Sequence, residues 1–399
     1  MARVVVLASG SDGDVLPYLG LGRRLTEAGH PVTVAAVERF GDAITGAGLG
    51  FHRLSSTDPR QVTANSRKSP MRLMVDGLRE QVPEMIRAAE RADVLLCPMS
   101  TLIFGDSLAE ANGIPCLALP LQPAAPTREM SPSLFGGRDL GPWLNRGTGE
   151  LFVHLGPRMF AKPLADLRTR LGLKTRFTPN PRQRMLHGIS PAVVPRPRDW
   201  RPEQEMVGFW WPHSTAEPPA ELVDFLDDGP PPVYFSFGSV VARKTNRQRQ
   251  AVTEAIRRSG VRAVVHSGWG DLAASGENVL TVGHVPHEWL LPRVAAVVHH
   301  ASAGTTAAVL RAGVPSVPVP FSNDQPFWAK RLVELGTAPG VLPARGLTAD
   351  GLAAKIAEAV GAPTYTERAA AIAAELRNED GAARVIEVVQ QVTEEVTAR

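Results

Sequence analysis

Short apolar runs recur along the first part of the chain, each closed by glycine, proline or a charge. "RVVVLAS" (3–9), "PVTVAAV" (31–37), "ADVLLCP" (92–98) and "IPCLALPL" (114–121) lack the alternation of a strand with one wet face, so they read as buried strands. Between them, "VLPYLGLGRRLTEAGH" repeats its apolar residues at helical spacing and stops at Gly29, and "GDSLAEANG" reads as a helical connector. Strand, loop, helix and strand in alternation predict a parallel, doubly wound sheet.

From Ser190 to Pro232 proline becomes dense, which disfavours the interior of a sheet and reads as an interdomain connection. The pattern then restarts. "PVYFSFGS" (232–239) is a strand running into a small turn, and "NRQRQAVTEAIRRSG" is a helix. "RAVVHSG", "NVLTVGHV", "AAVVHH" and "PSVPVPF" are further strands, and "TADGLAAKIAEAVG" and the residues from Thr364 onward are helices. The expected fold class is α/β, two Rossmann-like doubly wound domains facing a central cleft. The divisions read as a first domain over 1–203, a proline-rich linker over 204–231, a second domain over 232–382 and a C-terminal helix over 383–399, for which packing back on the first domain is one placement. A length of 399 residues agrees with two cores. In open α/β sheets ligands bind beyond the carboxyl ends of the strands, so the residues just after each strand carry the chemistry.

Composition narrows the classes. A formal charge of +3 over this length, without a basic run interleaved with aromatics, gives no nucleic-acid footprint. The cysteines, Cys97 and Cys116, lie inside apolar runs and read as reduced core thiols of a cytoplasmic protein. Neither CxxC nor HExxH occurs, so no metal site is expected. There is no apolar run long enough for a membrane span, and the N-terminal apolar stretch is too short for a signal peptide. The oligomeric state is not legible.

After "AAVVHH" the segment "ASAGTT" (301–306) opens a helix whose free N–H groups and partial positive charge suit a phosphate. Ala301, Ala303 and Gly304 leave the backbone approachable, Ser302, Thr305 and Thr306 add hydroxyls, and His300 adds a hydrogen bond or a charge. A plain helix cap is the competing reading. "FGS" (237–239), with Ser239, is a second small turn aimed at the same cleft, and together they favour a diphosphate site. The P-loop, GxGxxG and GxSxG patterns are all missing. Asp324 and Gln325, after "PSVPVPF", can bond several sugar hydroxyls, and Asp324 can also cap the helix that follows.

"HHASAGTT" (299–306) and "GVPSVPVPFSNDQPFWAKRL" (313–332), preceded by "VGHVPHEWLLPRVAAVV" (282–298), closely resemble the nucleotide-sugar signature of family 1 glycosyltransferases, nearest to bacterial natural-product and sterol enzymes. "GSDGD" (10–14) and "VVPRPRDW…VGFWW" at the domain junction resemble the same group. The resemblance implies the GT-B fold, with the acceptor in the first domain, the nucleotide sugar in the second, and metal-independent, inverting transfer. By position, His300, Gly304 and Thr305 would hold the diphosphate with Ser239, His284, Val285 and His287 would border the nucleobase, and Asp324 and Gln325 would bind the sugar. Many relatives carry a ribose-binding Glu where this chain has Ala308, which would suit dTDP, yet sterol-type relatives that use UDP-sugars lack it as well. Both nucleotides stay open, and no cofactor beyond the donor is implied.

The attacking hydroxyl needs a base. Asp14, directly after the first strand and facing the cleft, matches the position proposed for this role in sterol-type and glycopeptide-type relatives; the competing reading is that Asp14 caps the helix and Asp12 is a turn residue. His154 and His187 would reach an acceptor only if they face the cleft, and otherwise read as core or surface residues. Ser11 and the aromatics Phe135, Trp143 and Phe152, the latter three in the irregular stretch 122–160, are candidates for the wall around a hydrophobic small-molecule acceptor. The alternatives weighed are a nucleotide-sugar epimerase of the same fold and an inactive nucleotide-sugar-binding partner.

Overall fold

The structure, a computed structural model, describes residues 1–55, 70–212, 216–237, 246–267 and 278–398. Strands β1 (Val4–Leu7), β2 (Val32–Val37), β3 (Gly50–Ser55), β4 (Val94–Cys97), β5 (Cys116–Ala118), β6 (Met185–His187) and β7 (Gln204–Met206) form one sheet in the order β3-β2-β1-β4-β5-β6-β7. Strands β8 (Val233–Ser236), β9 (Ala263–His266), β10 (Val279–Val282), β11 (Ala296–His299) and β12 (Ser316–Pro318) form a second in the order β10-β9-β8-β11-β12. All pairings among the described strands are parallel.

The buried runs behave as parallel strands must, with helices on both faces. In β1, Val4 and Val6 point into one core while Val5 and Leu7 point into another. Helices α1 (Asp12–Glu27) and α2 (Gly41–Gly46) cover the first of these faces. The opposite face carries α3 (Pro70–Ala89) and α4 (Leu102–Asn112), followed along the chain by α5 (Pro142–Met159) beside the cleft and by α6 (Ala161–Arg170), which returns to that core. In the second sheet α7 (Ala220–Asp227) lies on one face and α8 (Asn246–Ser259) on the other. The short α9 (His287–Leu290) and α10 (Ala303–Ala312) join α7, α11 (Gln325–Glu334) follows β12, and α12 (Ala349–Gly361) joins α8. The chain ends with α13 (Pro363–Arg377) and α14 (Gly381–Thr397).

Helix α14 crosses back to the first sheet, where Val385, Val388, Val389 and Val392 share a core with Val4, Val34 and Leu21. The crossing is tight: a Cβ on Gly381 would lie 2.6 Å from the backbone of Gly208. The proline-rich connection is also packed rather than loose, since Ile189, Val193, Val194 and Phe209 form a cluster with Leu310, Trp328 and Leu376 of the second half.

Two segments differ from their sequence reading. The stretch read as linker begins with β7, an edge strand pairing only with β6, where flanking prolines cost no ladder bond. The stretch 122–160 is not irregular throughout. Helix α5 starts with Pro142 at its first turn, and its periodicity is masked by Gly147, Gly149 and Gly156 and by apolar residues that face solvent, among them Leu144 and Leu151.

The strand order reverses between β1 and β4 and again between β8 and β11. Both reversals open crevices at the carboxyl ends of the strands, where this kind of sheet binds ligands.

Candidate active site

A cleft of about 1890 Å³ lies between the carboxyl ends of the two sheets, reached by loops after β1 and β4 on one side and after β11 and β12 on the other. Ser11, Asp14, His300, Gly304, Asp324 and Gln325 all line it. The residues expected to act together are therefore brought together.

Ser11 precedes α1, and Asp14 is the third residue of that helix. The Ser11 N–H and the Ser11 hydroxyl both donate to Asp14 Oδ2, each at 2.8 Å. Asp14 lines the cleft. Burial raises the Asp14 pKa above the ordinary carboxylate value; the two Ser11 bonds pull it down and the Asp12 charge pushes it up. Asp14 is thus both a capping residue and a carboxylate of enhanced basicity. Asp12 itself pairs with Arg39 at 2.7 Å.

Across the cleft, β11 ends in two histidines. His299 is fully buried, accepts the Ala301 N–H at Nδ1 (3.2 Å) and meets Ser316 Oγ at Nε2 (3.2 Å). Burial, then the neighbouring His300 and His287, lower its pKa to about 3, so it is a neutral structural group. His300 is buried and lines the cleft. Ala301 adopts φ +60°, a left-handed conformation that costs a non-glycine residue about 1–2 kcal/mol. That turn delivers the chain into α10, whose preceding Ser302 makes no side-chain cap; its hydroxyl goes to Thr305 Oγ1 at 3.1 Å. The amides at the start of α10 therefore have no side-chain cap, an arrangement that can take an anion. A Cβ on Gly304 would meet nothing within 4 Å, so packing does not demand glycine there and open cleft faces that backbone. Ser239 lies outside the described residues.

After β12, Asn323 at φ +58° turns the chain into α11. Asp324 Oδ2 accepts from Trp328 Nε1 at 3.0 Å instead of capping the helix backbone. Burial raises the Asp324 pKa, Trp328 lowers it, and the Asp14 charge adds a smaller rise. Gln325 is buried and lines the cleft; its Oε1 accepts from Phe321 N (2.8 Å) and Ser322 N (3.3 Å), which fixes the amide orientation.

Val285 is buried, His284 exposed and His287 half-buried, and all three line the cleft beyond β10. Burial, then His284 and His266, bring the His287 pKa to about 4. His266 at the end of β9 and Arg311 near the end of α10 also line the cleft and were not singled out from sequence. The position of His266, closing a strand, was the available signal. Arg311 stacks over Trp211 at 4.3 Å, a contact that only the fold creates.

Phe135 and Phe152 line the first-domain half of the cleft. Trp143 does not: it is 80% exposed beneath the Arg128 guanidinium, two residues from the cleft-lining Asn145 and so about 200° round α5. His154 is exposed on the same helix, away from the lining. His187 is fully buried, stacks on Trp200 at 4.4 Å, bonds Glu205 O through Nδ1 at 2.9 Å, and has its pKa lowered by burial to about 4; it is a core residue. Among the described residues no group of three or more His, Cys, Asp or Glu could hold a metal ion, and no helix is long and apolar enough to cross a membrane.

Residues 4–130 match the model of the glycosyltransferase family 28 N-terminal domain, and residues 261–394 match that of the erythromycin biosynthesis protein CIII-like C-terminal domain. The chain is 32% identical over 372 residues to a sterol 3-beta-glucosyltransferase of Arabidopsis thaliana, covering 86% of this chain but 58% of that protein. It is 32% identical over 419 residues to the O-mycaminosyltylonolide 6-deoxyallosyltransferase of Streptomyces fradiae, covering 98% of each. The crystal structure of the glycotransferase of kitacinnamycin superposes with a TM-score of 0.74 at 21% identity, over 98% of this chain and 99% of that one, and so shares the two-domain fold.

Proposed function

The chain belongs to the family 1 glycosyltransferases of GT-B fold, and from that premise we propose that it transfers a sugar, with inversion and without a metal, from a dTDP- or UDP-sugar to a hydroxyl of a hydrophobic acceptor of the sterol or macrolide kind. The observation that carries this reading is the opposition of two loops across one cleft: a carboxylate of raised pKa at Asp14 faces an uncapped helix terminus at Ser302–Thr305.

The chemistry follows from that opposition. Asp14 takes the proton as the acceptor oxygen bonds to the anomeric carbon. The bond from that carbon to the diphosphate oxygen breaks, and its electron pair leaves with the diphosphate. The amides of α10 and His300 offset the charge that develops there. Because nucleophile and leaving group are held on opposite walls, attack comes from the face opposite departure, which inverts the anomeric centre. Asp324, through its remaining lone pairs, and the Gln325 NH₂ hold sugar hydroxyls. The dependence of Asp324 on the Asp14 charge supports a donor sugar seated between them. His284, Val285 and His287 border the base, and Phe135 and Phe152 wall the acceptor.

A thermal-shift panel with UDP, dTDP, GDP, ADP and NAD tests the donor assignment. A ligand at about 100 times its Kd stabilises by about 2.7 kcal/mol, a clear rise in Tm. The expected result is a shift with UDP or dTDP alone. A shift with NAD or ADP, or with none, removes the ligand assigned to α10.

A further inference from the structure

We propose that the acceptor half of the cleft holds a second recognition group, the carboxylate of Asp106, and that it takes a basic amine carried by the acceptor at a distance from the attacked hydroxyl. The proposal rests on the reading of the cleft as a glycosyl-transfer site and names the chemistry of its acceptor.

Asp106 is on α4, one turn in from the helix start, and lines the cleft, as do Ile103, Phe160, Phe177 and Met185. The lining also includes the side-chain amides of Asn180 and Gln183. Those amides are engaged by protein: Gln183 Nε2 donates to Cys116 O at 2.9 Å, and Asn180 Nδ2 points to Gln183 Oε1 at 3.5 Å.

A partly buried carboxylate ordinarily has a cation beside it. Here the groups acting on Asp106 are the Cys116 thiol, a weak partner, and Glu110 on the same helix, a like charge. Cys116 is itself turned to Cys97 of β4, 3.6 Å away. The cation on the neighbouring helix, Arg168 of α6, is directed elsewhere: to Glu110 Oε2 (2.8 Å), Ser107 Oγ (3.1 Å) and Lys174 O (2.6 Å). Burial accordingly pushes the Asp106 pKa up to about 6. The carboxylate is still largely ionised at neutral pH, and a ligand ammonium would supply the opposite charge that the described residues do not. A neutral hydroxyl would bond it without removing that penalty.

The position sets the size of the acceptor. Asp14 follows β1, whereas the helix of Asp106 packs against Cys116 of β5, two strands across, and those strands are about 10 Å apart. The amine and the attacked hydroxyl are therefore on opposite ends of a molecule of more than one ring.

Naphthylmethylamine and naphthylmethanol, alike in shape and differing in charge, are titrated calorimetrically into the full chain at pH 7.5. The amine is expected to bind about tenfold more tightly, the value of one charge-assisted contact. In Asp106→Asn the preference is expected to vanish while the alcohol binds as before. The preference is also expected to fade as pH drops below about 6 in the wild-type chain, where Asp106 loses its charge. Equal binding of the two probes, absence of amine binding, or a preference that survives in Asp106→Asn each overturns the proposal. UDP and dTDP binding, measured on the same preparations, reports separately on the donor site: nucleotide binding without amine preference rejects only the Asp106 assignment, and loss of nucleotide binding in the wild-type chain rejects the transfer reading itself.

Discussion

Two helix starts face each other across the cleft, and they differ by two residues in four. On the first domain the chain reads Ser-Asp-Gly-Asp (11–14), and on the second Ser-Ala-Gly-Thr (302–305). In both, serine precedes the helix, glycine is its second residue, and the third residue decides the chemistry. Asp14 reaches back to Ser11 and places a negative charge against the terminus of α1. Thr305 is neutral, and the amides of α10 stay open to an anion. In the proposed reaction the same backbone device supplies a proton acceptor on one wall and a seat for a leaving anion on the other. The lesson is that a doubly wound sheet provides the positions, and one side chain at each helix start sets the sign.

Asp14→Asn attacks the contrast where it is strongest. The asparagine oxygen can still accept both Ser11 bonds, so the helix start is kept while the base is lost. Turnover is expected to fall about 10²–10⁴-fold with the calorimetric Kd for the nucleoside diphosphate unchanged; full turnover would remove Asp14 from the reaction. Because the Asp14 pKa is raised, the wild-type kcat/KM is also expected to fall on the acid side at a pH above the ordinary carboxylate range.

Thr305→Asp makes the second terminus resemble the first. A carboxylate facing the diphosphate is expected to weaken nucleotide binding about 100-fold, while the capped, dipole-matched helix gains about 0.5–1 kcal/mol and the ligand-free Tm rises. Unaltered nucleotide affinity would mean that this terminus is not the anion seat.

Asp106→Asn examines the rest of the acidic wall through stability. A carboxyl whose folded pKa is raised from 3.8 to about 6 binds more protons in the native state, so its ionisation opposes folding above that range. The variant is expected to be more stable than wild type by up to about 2–3 kcal/mol above pH 6. The gain should shrink between about pH 6 and pH 4 and be absent below it, as read by urea unfolding across that series. A gain that persists at low pH would point to packing rather than charge. The smallest effect is expected from EDTA, which should leave turnover unchanged if the α10 amides and His300 suffice for the departing diphosphate; inactivation reversed by a divalent cation would give that role to a metal.

The sheets were legible because parallel strands buried on both faces are continuous apolar runs, as in β1, β2, β4 and β11. The rule that chemistry follows strand ends led to Asp14, His300, Asp324 and Gln325, which do meet in one cleft. What escaped was set by tertiary packing. Strand β7 is three residues in a proline-rich stretch and exists because β6 offers an edge. In α5 the glycines break the periodic signal, and with no helix face to refer to, Trp143 could not be placed on the outer side. Asp106 sits in "GDSLAEANG", where an acidic residue looks like part of a solvated helix face; only the packing of α4 on Cys116 brings it to the cleft. The Ser239 assignment falls outside the described residues and stands on sequence alone.

The return of α14 to the first sheet imposes an order on biogenesis. As the chain leaves the ribosome, β1 to β7 emerge long before the valines of residues 385–392 that cover one of their faces. Until then Val4, Val34 and Leu21 lack part of their core. The first domain therefore matures after the second has been synthesised, and a nascent chain stalled between the two would present its open face to chaperones.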